Sequence, residues 1–214
     1  MKKGIHLNFL ILIFLFICNT YLKAQNNVSI CLNGDLAVRI EHQTYVCLSP
    51  SGQVTGIGIP VKGNIAYFNG RISSCDDKSV SYDFNNRIDR IGSVTMSYFN
   101  GHIDGVGPTS VSYFNGKVDR IGNKSISYFV GHVDNVGATS ISYFNDRIDR
   151  IGDETISYFN GRIDKIGTKS ISYDINGLLI GVDDAKFTYD TDKNINHLDQ
   201  DLILGITLSG YWTK

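Results

Sequence analysis

Short runs of alternating apolar and polar residues fill residues 61–188, and the runs repeat. One reads Ser-Ile-Ser-Tyr-Phe, as at Ser125 to Phe129; the other reads Arg-Ile-Asp-Arg-Ile, as at Arg147 to Ile151. Each has the length and pattern of a half-buried strand. Tyrosines mark the period. Tyr67, Tyr82, Tyr98, Tyr113, Tyr128, Tyr143, Tyr158, Tyr173 and Tyr189 are separated by steps of 15, 16, 15, 15, 15, 15, 15 and 16. The 16-residue steps start at Tyr82-Asp83 and Tyr173-Asp174, where an Asp is inserted. A fixed short period marks a repeat architecture.

The two runs of a unit are joined by Asn-Gly at Asn69-Gly70, Asn100-Gly101, Asn115-Gly116, Asn160-Gly161 and Asn176-Gly177. Both residues tolerate positive φ, which makes the pair a strong hairpin signal. Asn145-Asp146 and Asn85-Asn86 are expected to serve on the same grounds. Val130-Gly131 does not fit, because a β-branched residue resists positive φ; a different turn is expected there. Units are joined by Gly plus two residues, such as Gly107-Pro108-Thr109 and Gly122-Asn123-Lys124. With a two-residue Asn-Gly loop, Tyr98 falls opposite Ile103. An odd period then needs a three-residue link or one bulge to keep every Tyr on the same face. Tyr113, Val118 and Ile126 share that apolar face, and Phe114, Lys117, Asp119 and Ser127 the wetter one.

The fold class expected is all-β: about nine 15–16-residue hairpins in a coiled antiparallel sheet. The alternative is a parallel β-solenoid. A solenoid would stack Asp89, Asp104, Asp119, Asp134, Asp149 and Asp164 at about 4.8 Å spacing. Like charges that close repel by roughly 1 kcal/mol even in water, whereas a meander places equivalent residues two strands apart. About 18 strands are too many for one twisted open sheet, so the array should coil, curl into a shell or fold its apolar face on itself.

The flanks read differently. Lys2 and Lys3, the apolar run Leu7 to Ile17 and the small-residue end Leu22-Lys23-Ala24 have the order of a secretory signal peptide over residues 1–24. The run is too short for a membrane span of about 20 residues. Cys18 after Leu15-Phe-Ile raises lipid attachment, although Ile17 is bulky for such a processing box. The remaining divisions are an N-terminal β cap at 25–60, the array at 61–188 and a C-terminal capping segment at 189–214, with Tyr211-Trp212 set to cover the last repeat. The whole chain has 20 basic and 21 acidic residues. The leader holds three of the bases and no acid, so the mature chain is mildly acidic, at about −4, and offers nucleic acid no basic patch. Export permits disulfides; Cys31 and Cys47 are the candidate pair, and Cys75 is left over, buried or reactive.

Tyr173-Asp174-Ile175-Asn176-Gly177-Leu178-Leu179 resembles the YD repeats of secreted RHS-type proteins, whose motif runs Tyr-Asp, two residues, Gly and then often Arg-Leu. Tyr82-Asp83-Phe84-Asn85-Asn86-Arg87-Ile88 is similar, with Asn86 in place of Gly, and Tyr189-Asp190 echoes it. Most units here carry Tyr-Phe instead. In that family the units are hairpins that spiral into a shell, so the resemblance implies an extracellular hairpin scaffold; the chain is shorter than a closed shell is expected to need. The array is also similar to secreted repeat proteins of Bacteroidetes-type bacteria, which implies a bacterial, exported protein. Neither resemblance carries a site residue with it.

Catalysis is not expected. The repeated serines, such as Ser112 and Ser127, lack a Gly-x-Ser-x-Gly elbow or a privileged His. His102 and His132 occupy a slot held elsewhere by Arg71, Lys117, Arg147 and Arg162, and read as interchangeable polar residues. The Asp row contains no unique acid/base pair. No cofactor is expected. A calcium candidate is Asp190, Asp192, Asn194, Asn196 and Asp201, spaced like a calcium loop but with Ile195 where that loop requires Gly. The binding candidate is the row Phe99, Phe114, Phe129, Phe144 and Phe159. It serves either to cover the next hairpin or to meet a partner protein or a polysaccharide. The function expected is a secreted or cell-surface repeat scaffold with a structural or protein-interaction role, or else a glycan-binding module. End strands of the array would offer edges for self-association.

Overall fold

A computed structural model describes residues 13–17, 28–41, 44–59, 62–199 and 204–208. The strands form two antiparallel sheets. The larger is a closed ring of nine consecutive hairpins: 63–75, 78–91, 94–106, 109–121, 124–136, 139–151, 154–166, 169–182 and 185–198, numbered here one to nine. The smaller contains β1 (Ile13–Ile17), β2 (Val28–Ile30), β3 (Leu36–Glu41), β4 (Thr44–Leu48) and β5 (Val54–Ile59), with the last strand, Leu204–Leu208, between β1 and β5.

Hairpin five shows how the unit is built. Phe129 pairs with His132 across a two-residue turn, Tyr128 with Val133, Ser127 with Asn135 and Ile126 with Val136. Asp134 is therefore an extra residue, a bulge in the second strand. The same shift recurs in the other hairpins, for example between Ser112 and Tyr113. The links between hairpins contain two residues, since Ile121 already pairs with Lys124. Gly122 alone has positive φ there, at 56°, as a type II′ turn requires. Of the two ways to reconcile an odd period with a single tyrosine face, the bulge is the one used. Tyr98 pairs with Ile103 as the alternation demands.

The turns also show where local preference yields. Asn100, Asn115 and Asn160 take φ of 48–50°, and Asn145-Asp146 takes 50° and 60°. Val130 adopts the same turn at φ 48° rather than a different one. The ring pins the residues on either side of it, and the cost falls on the valine. In hairpins two, eight and nine the loop runs to five residues, because Tyr82 pairs with Ile88, Tyr173 with Leu179 and Tyr189 with Ile195. Asn85-Asn86 and Asn176-Gly177 thus lie inside longer loops and are not two-residue turns. The inserted Asp organises each loop: Asp83 accepts from the amides of Asn85 and Arg87, Asp174 from that of Leu178, and Asp190 from those of Asp192 and Asn194.

The ring closes: of the coil, the curled shell and the self-packed face that the strand number left open, the shell is the one formed. His197 pairs with Asn64 and Leu198 with Gly63, repeating the link seen between any two neighbours, such as Arg120 with Ser125 and Ile121 with Lys124. Nine hairpins are therefore enough for a closed shell. The end strands of the array are paired with each other and offer no edge to another copy. Residues 189–198 complete the ninth hairpin instead of capping the array; Tyr211 and Trp212 lie outside the described residues.

Hairpin tips share one rim of the ring and II′ links the other. Neighbouring hairpins pair only near the link rim, through two residues each, so they splay toward the tips. Tyrosine bridges the gap. Tyr98 donates to the Ile88 carbonyl at 2.6 Å, Tyr128 to Val118 at 2.8 Å, Tyr143 to Val133 at 2.8 Å and Tyr158 to Ile148 at 2.8 Å. At the seam Tyr67 donates to the Ile195 carbonyl at 3.0 Å. Burial is the main reason that the tyrosine pKa values rise; Tyr113, Tyr128 and Tyr143 are pushed up to about 12.

A ring of 18 strands is wide enough for a water-filled lumen, yet its inward Ile72, Ile88, Ile103 and Val118 are fully buried. The small sheet covers them. Val38, Val46, Leu48 and Ile57 belong to one continuous core with the ring's inner side chains. The outward face carries Ser125, Ser127, Arg120 and Arg150, all exposed, the reverse of a membrane barrel's apolar exterior.

Candidate binding surfaces of the ring

The phenylalanine that follows six of the nine ring tyrosines points outward near the tips. Phe99, Phe114, Phe129, Phe144 and Phe159 are 67–71% exposed, so these rings do not cover the next hairpin. Phe68 of hairpin one belongs to the same row at 71%. Its Tyr67-Phe68-Asn69-Gly70 signature was visible in the sequence, but the residue was not among the candidates. Hairpins two and eight carry the inserted Asp in this slot and place Phe84 and Ile175 at their loop tips, both almost fully exposed. Eight of the nine hairpins thus present a large exposed apolar side chain at one rim. Monomeric proteins seldom leave such a surface without a use.

Grooves lie between splayed tips. One, of about 530 Å³, is lined by Phe144, Asn145, Arg147 and Asp149 of hairpin six and by Ile156 and Tyr158 of hairpin seven. The equivalent residues Phe68, Asn69, Arg71 and Ser73, with Val80 and Tyr82 of the next hairpin, line another of about 360 Å³. The slot that alternates among Arg, Lys and His has a role here: it covers the tyrosine of the next hairpin. Arg87 lies 4.0 Å from the Tyr98 ring centre and Lys117 4.7 Å from that of Tyr128, a cation–π arrangement. His102 and His132 pack on Tyr113 and Tyr143 in the same way.

Below the phenylalanines runs a second row. Ser112 donates to Asp119 at 2.7 Å, Ser127 to Asp134 at 2.7 Å, Ser142 to Asp149 at 2.6 Å and Ser157 to Asp164 at 2.6 Å. The bulge turns each Asp toward the serine across the strand pair. The hydroxyls are hydrogen-bonded to carboxylates, with no imidazole between them.

The remaining candidates fall elsewhere. Both oxygens of Asp190 are engaged within its own loop, by the Asp192 and Asn194 amides and the Asn194 side chain, and Asn196 accepts from Thr188. That is the wiring of the other two Tyr-Asp loops; among the described residues no group of three or more His, Cys, Asp or Glu could hold a metal ion, and Asp201 lies outside the described residues. Cys31 and Cys47 are buried thiols whose sulfurs are 3.5 Å apart. Cys75 is buried, and desolvation pushes its thiol up to about 12, away from reactivity.

A scan against protein-family models finds no match, and no curated protein matches the chain.

Proposed function

We propose that the protein is an exported, non-catalytic scaffold that binds a partner through the apolar rim. The observation that carries this reading is the circle of Phe68, Phe99, Phe114, Phe129, Phe144 and Phe159, each about two-thirds exposed. A scaffold with a purely internal role gains nothing from placing its largest apolar side chains in water. The leader-like order of residues 1–24 and the resemblance to YD-type hairpins support export; of the described strands, removing that leader takes away only β1, the edge strand of the small sheet. A repeated rim engages a partner at several equivalent points, so that modest contacts combine through multivalency.

The test is adsorption of the intact chain to cell-surface proteins and to insoluble polysaccharides, with Phe114→Ser, Phe129→Ser and Phe144→Ser combined. Binding should fall at least about tenfold in the variant while its melting temperature is unchanged. Equal binding by both chains would remove the rim from the function.

The inter-hairpin grooves favour a second reading, a glycan-binding module. Each groove sets an aromatic wall beside polar and charged side chains, here Phe144 beside Arg147 and Asp149, the combination that stacks on and hydrogen-bonds a sugar. Retention on polysaccharide but not on protein would select this reading.

A further inference from the structure

The ring's lumen is filled unevenly. At hairpins three and four the β4–β5 turn presses against the wall. The Ile103 amide donates to the Gly52 carbonyl at 3.3 Å, the Val118 amide to the Pro50 carbonyl at 2.8 Å, and the His102 Nδ1 meets the Ser51 carbonyl at 2.9 Å. This part of the wall is thus satisfied by three peptide oxygens. Across the lumen, the β2–β3 turn at Asn33-Gly34 stands away from hairpins six to eight. A cavity of about 410 Å³ lies between that turn and Ile148, Ile163, Tyr158 and Tyr173, with Arg147 and Arg162 at its edge.

Three observations say what the cavity lacks. Ile163 is only partly buried, whereas its counterparts Ile103, Val118 and Ile148 are sealed. Among the described residues no carbonyl reaches the amides of Ile148 and Ile163 in the way that Pro50 and Gly52 reach Val118 and Ile103. Arg87 pairs with Asp83 at 2.6 Å and Arg71 donates to Asn86 at 2.8 Å, but among the described residues Arg147 and Arg162 pair with no carboxylate and lie over the Tyr158 and Tyr173 rings. The one acid lining the cavity, Asp146, is 3.7 Å from His132.

We propose that this cavity binds a small carboxylate with an apolar, planar body. The carboxylate oxygens take the place that peptide carbonyls hold at hairpins three and four, and draw charge complementarity from the two guanidinium groups. The body lies among Ile148, Ile163, Tyr158 and Tyr173. The volume suits a compact ligand. The site is inside the ring; Arg147 and Tyr158 also line the groove beside Phe144, whereas Arg162, Ile163 and Tyr173 do not.

Isothermal titration calorimetry of the full chain with 3-phenylpropionate, and with the neutral 3-phenylpropanol, tests it. The expected result is one saturable site for the acid, with the alcohol at least about tenfold weaker. Arg147→Gln combined with Arg162→Gln should weaken the acid about tenfold or more and leave the alcohol unchanged, while Arg71→Gln, in the same slot of hairpin one, changes nothing. Ile163→Trp, which fills the cavity without touching charge, should abolish binding of both, and so covers the case in which the double variant fails to fold. No saturable heat up to about 10 mM acid, equal affinity for acid and alcohol, or unchanged binding in either cavity variant would overturn the proposal.

Discussion

The ring and the sheet that fills it are both antiparallel, but they are assembled by opposite rules. Every ring pairing joins segments at most one hairpin apart, except the seam; each unit repeats the same bulge and tyrosine, and six of the nine the same two-residue turn. The sheet joins distant parts of the chain: Ile206 pairs with Ile59, and Leu208 with Ile57. Nearest-neighbour interfaces make an array that grows in one dimension. The sheet gives that array an inside. Without something to bury Ile103 and Val118, a wide ring of short hairpins would have no core, so the fold depends on the part that does not repeat.

The largest test of this dependence is Leu48→Asp in β4. Leu48 is fully buried in the shared core, and an unpaired carboxylate there should cost upwards of about 4 kcal/mol. Ring and sheet should melt together, with one broad loss of strand signal by circular dichroism. A persisting ring transition would mean that the ring does not need the sheet.

Alkaline titration probes the ring alone. Its tyrosine pKa values are raised above the unfolded value, chiefly by burial, and those of Tyr113, Tyr128 and Tyr143 reach about 12. A raised pKa gives stability that is complete below the unfolded value near 10 and is lost as pH rises through the folded one. Denaturant midpoints should therefore hold up to about pH 10 and fall steeply between about 10 and 12. A midpoint insensitive to pH in that window would contradict the tyrosine bridges.

Single bridges are smaller. Tyr67→Phe at the seam and Tyr128→Phe inside the array each remove one hydroxyl–carbonyl bond. Each should cost about 1 kcal/mol in urea unfolding, and the two losses should agree, because the seam is built like any other link. The smallest change is a gain. Val130→Asn relieves a β-branched residue at φ 48° and should stabilise the protein by roughly 1 kcal/mol.

The same contrast explains what could be read in advance. The strands, most tip turns and the pairing of Tyr98 with Ile103 follow from spacing within fifteen residues; the odd period left a three-residue link and a bulge both open, and the protein uses the bulge. Val130 and Asn176-Gly177 were misread because turn type is set by the register on either side, not by the two residues at the tip. The strand number left a curled shell among the outcomes, but no residue selected closure. Asn64 and His197 pair with each other, yet neither type marks a seam, and the number of hairpins that closes a ring depends on splay angles that no residue reports. The phenylalanine row was visible as a row, but its exposure depends on the outward lean of the tips. The lumen cavity was invisible, since it arises where a non-repeating turn, Asn33-Gly34, stops short of a repeating wall.

Closure is the claim on which the rest stands. Spin labels at Asn64→Cys and His197→Cys, read by double electron–electron resonance, measure it directly. A closed ring puts the two backbones on neighbouring strands about 5 Å apart, so the label distance should be narrow and below about 20 Å once the label arms are included. An open array would separate them by some 17 strand spacings of about 4.8 Å, on the order of 80 Å along the sheet, and a broad distance distribution far above 20 Å would contradict the ring.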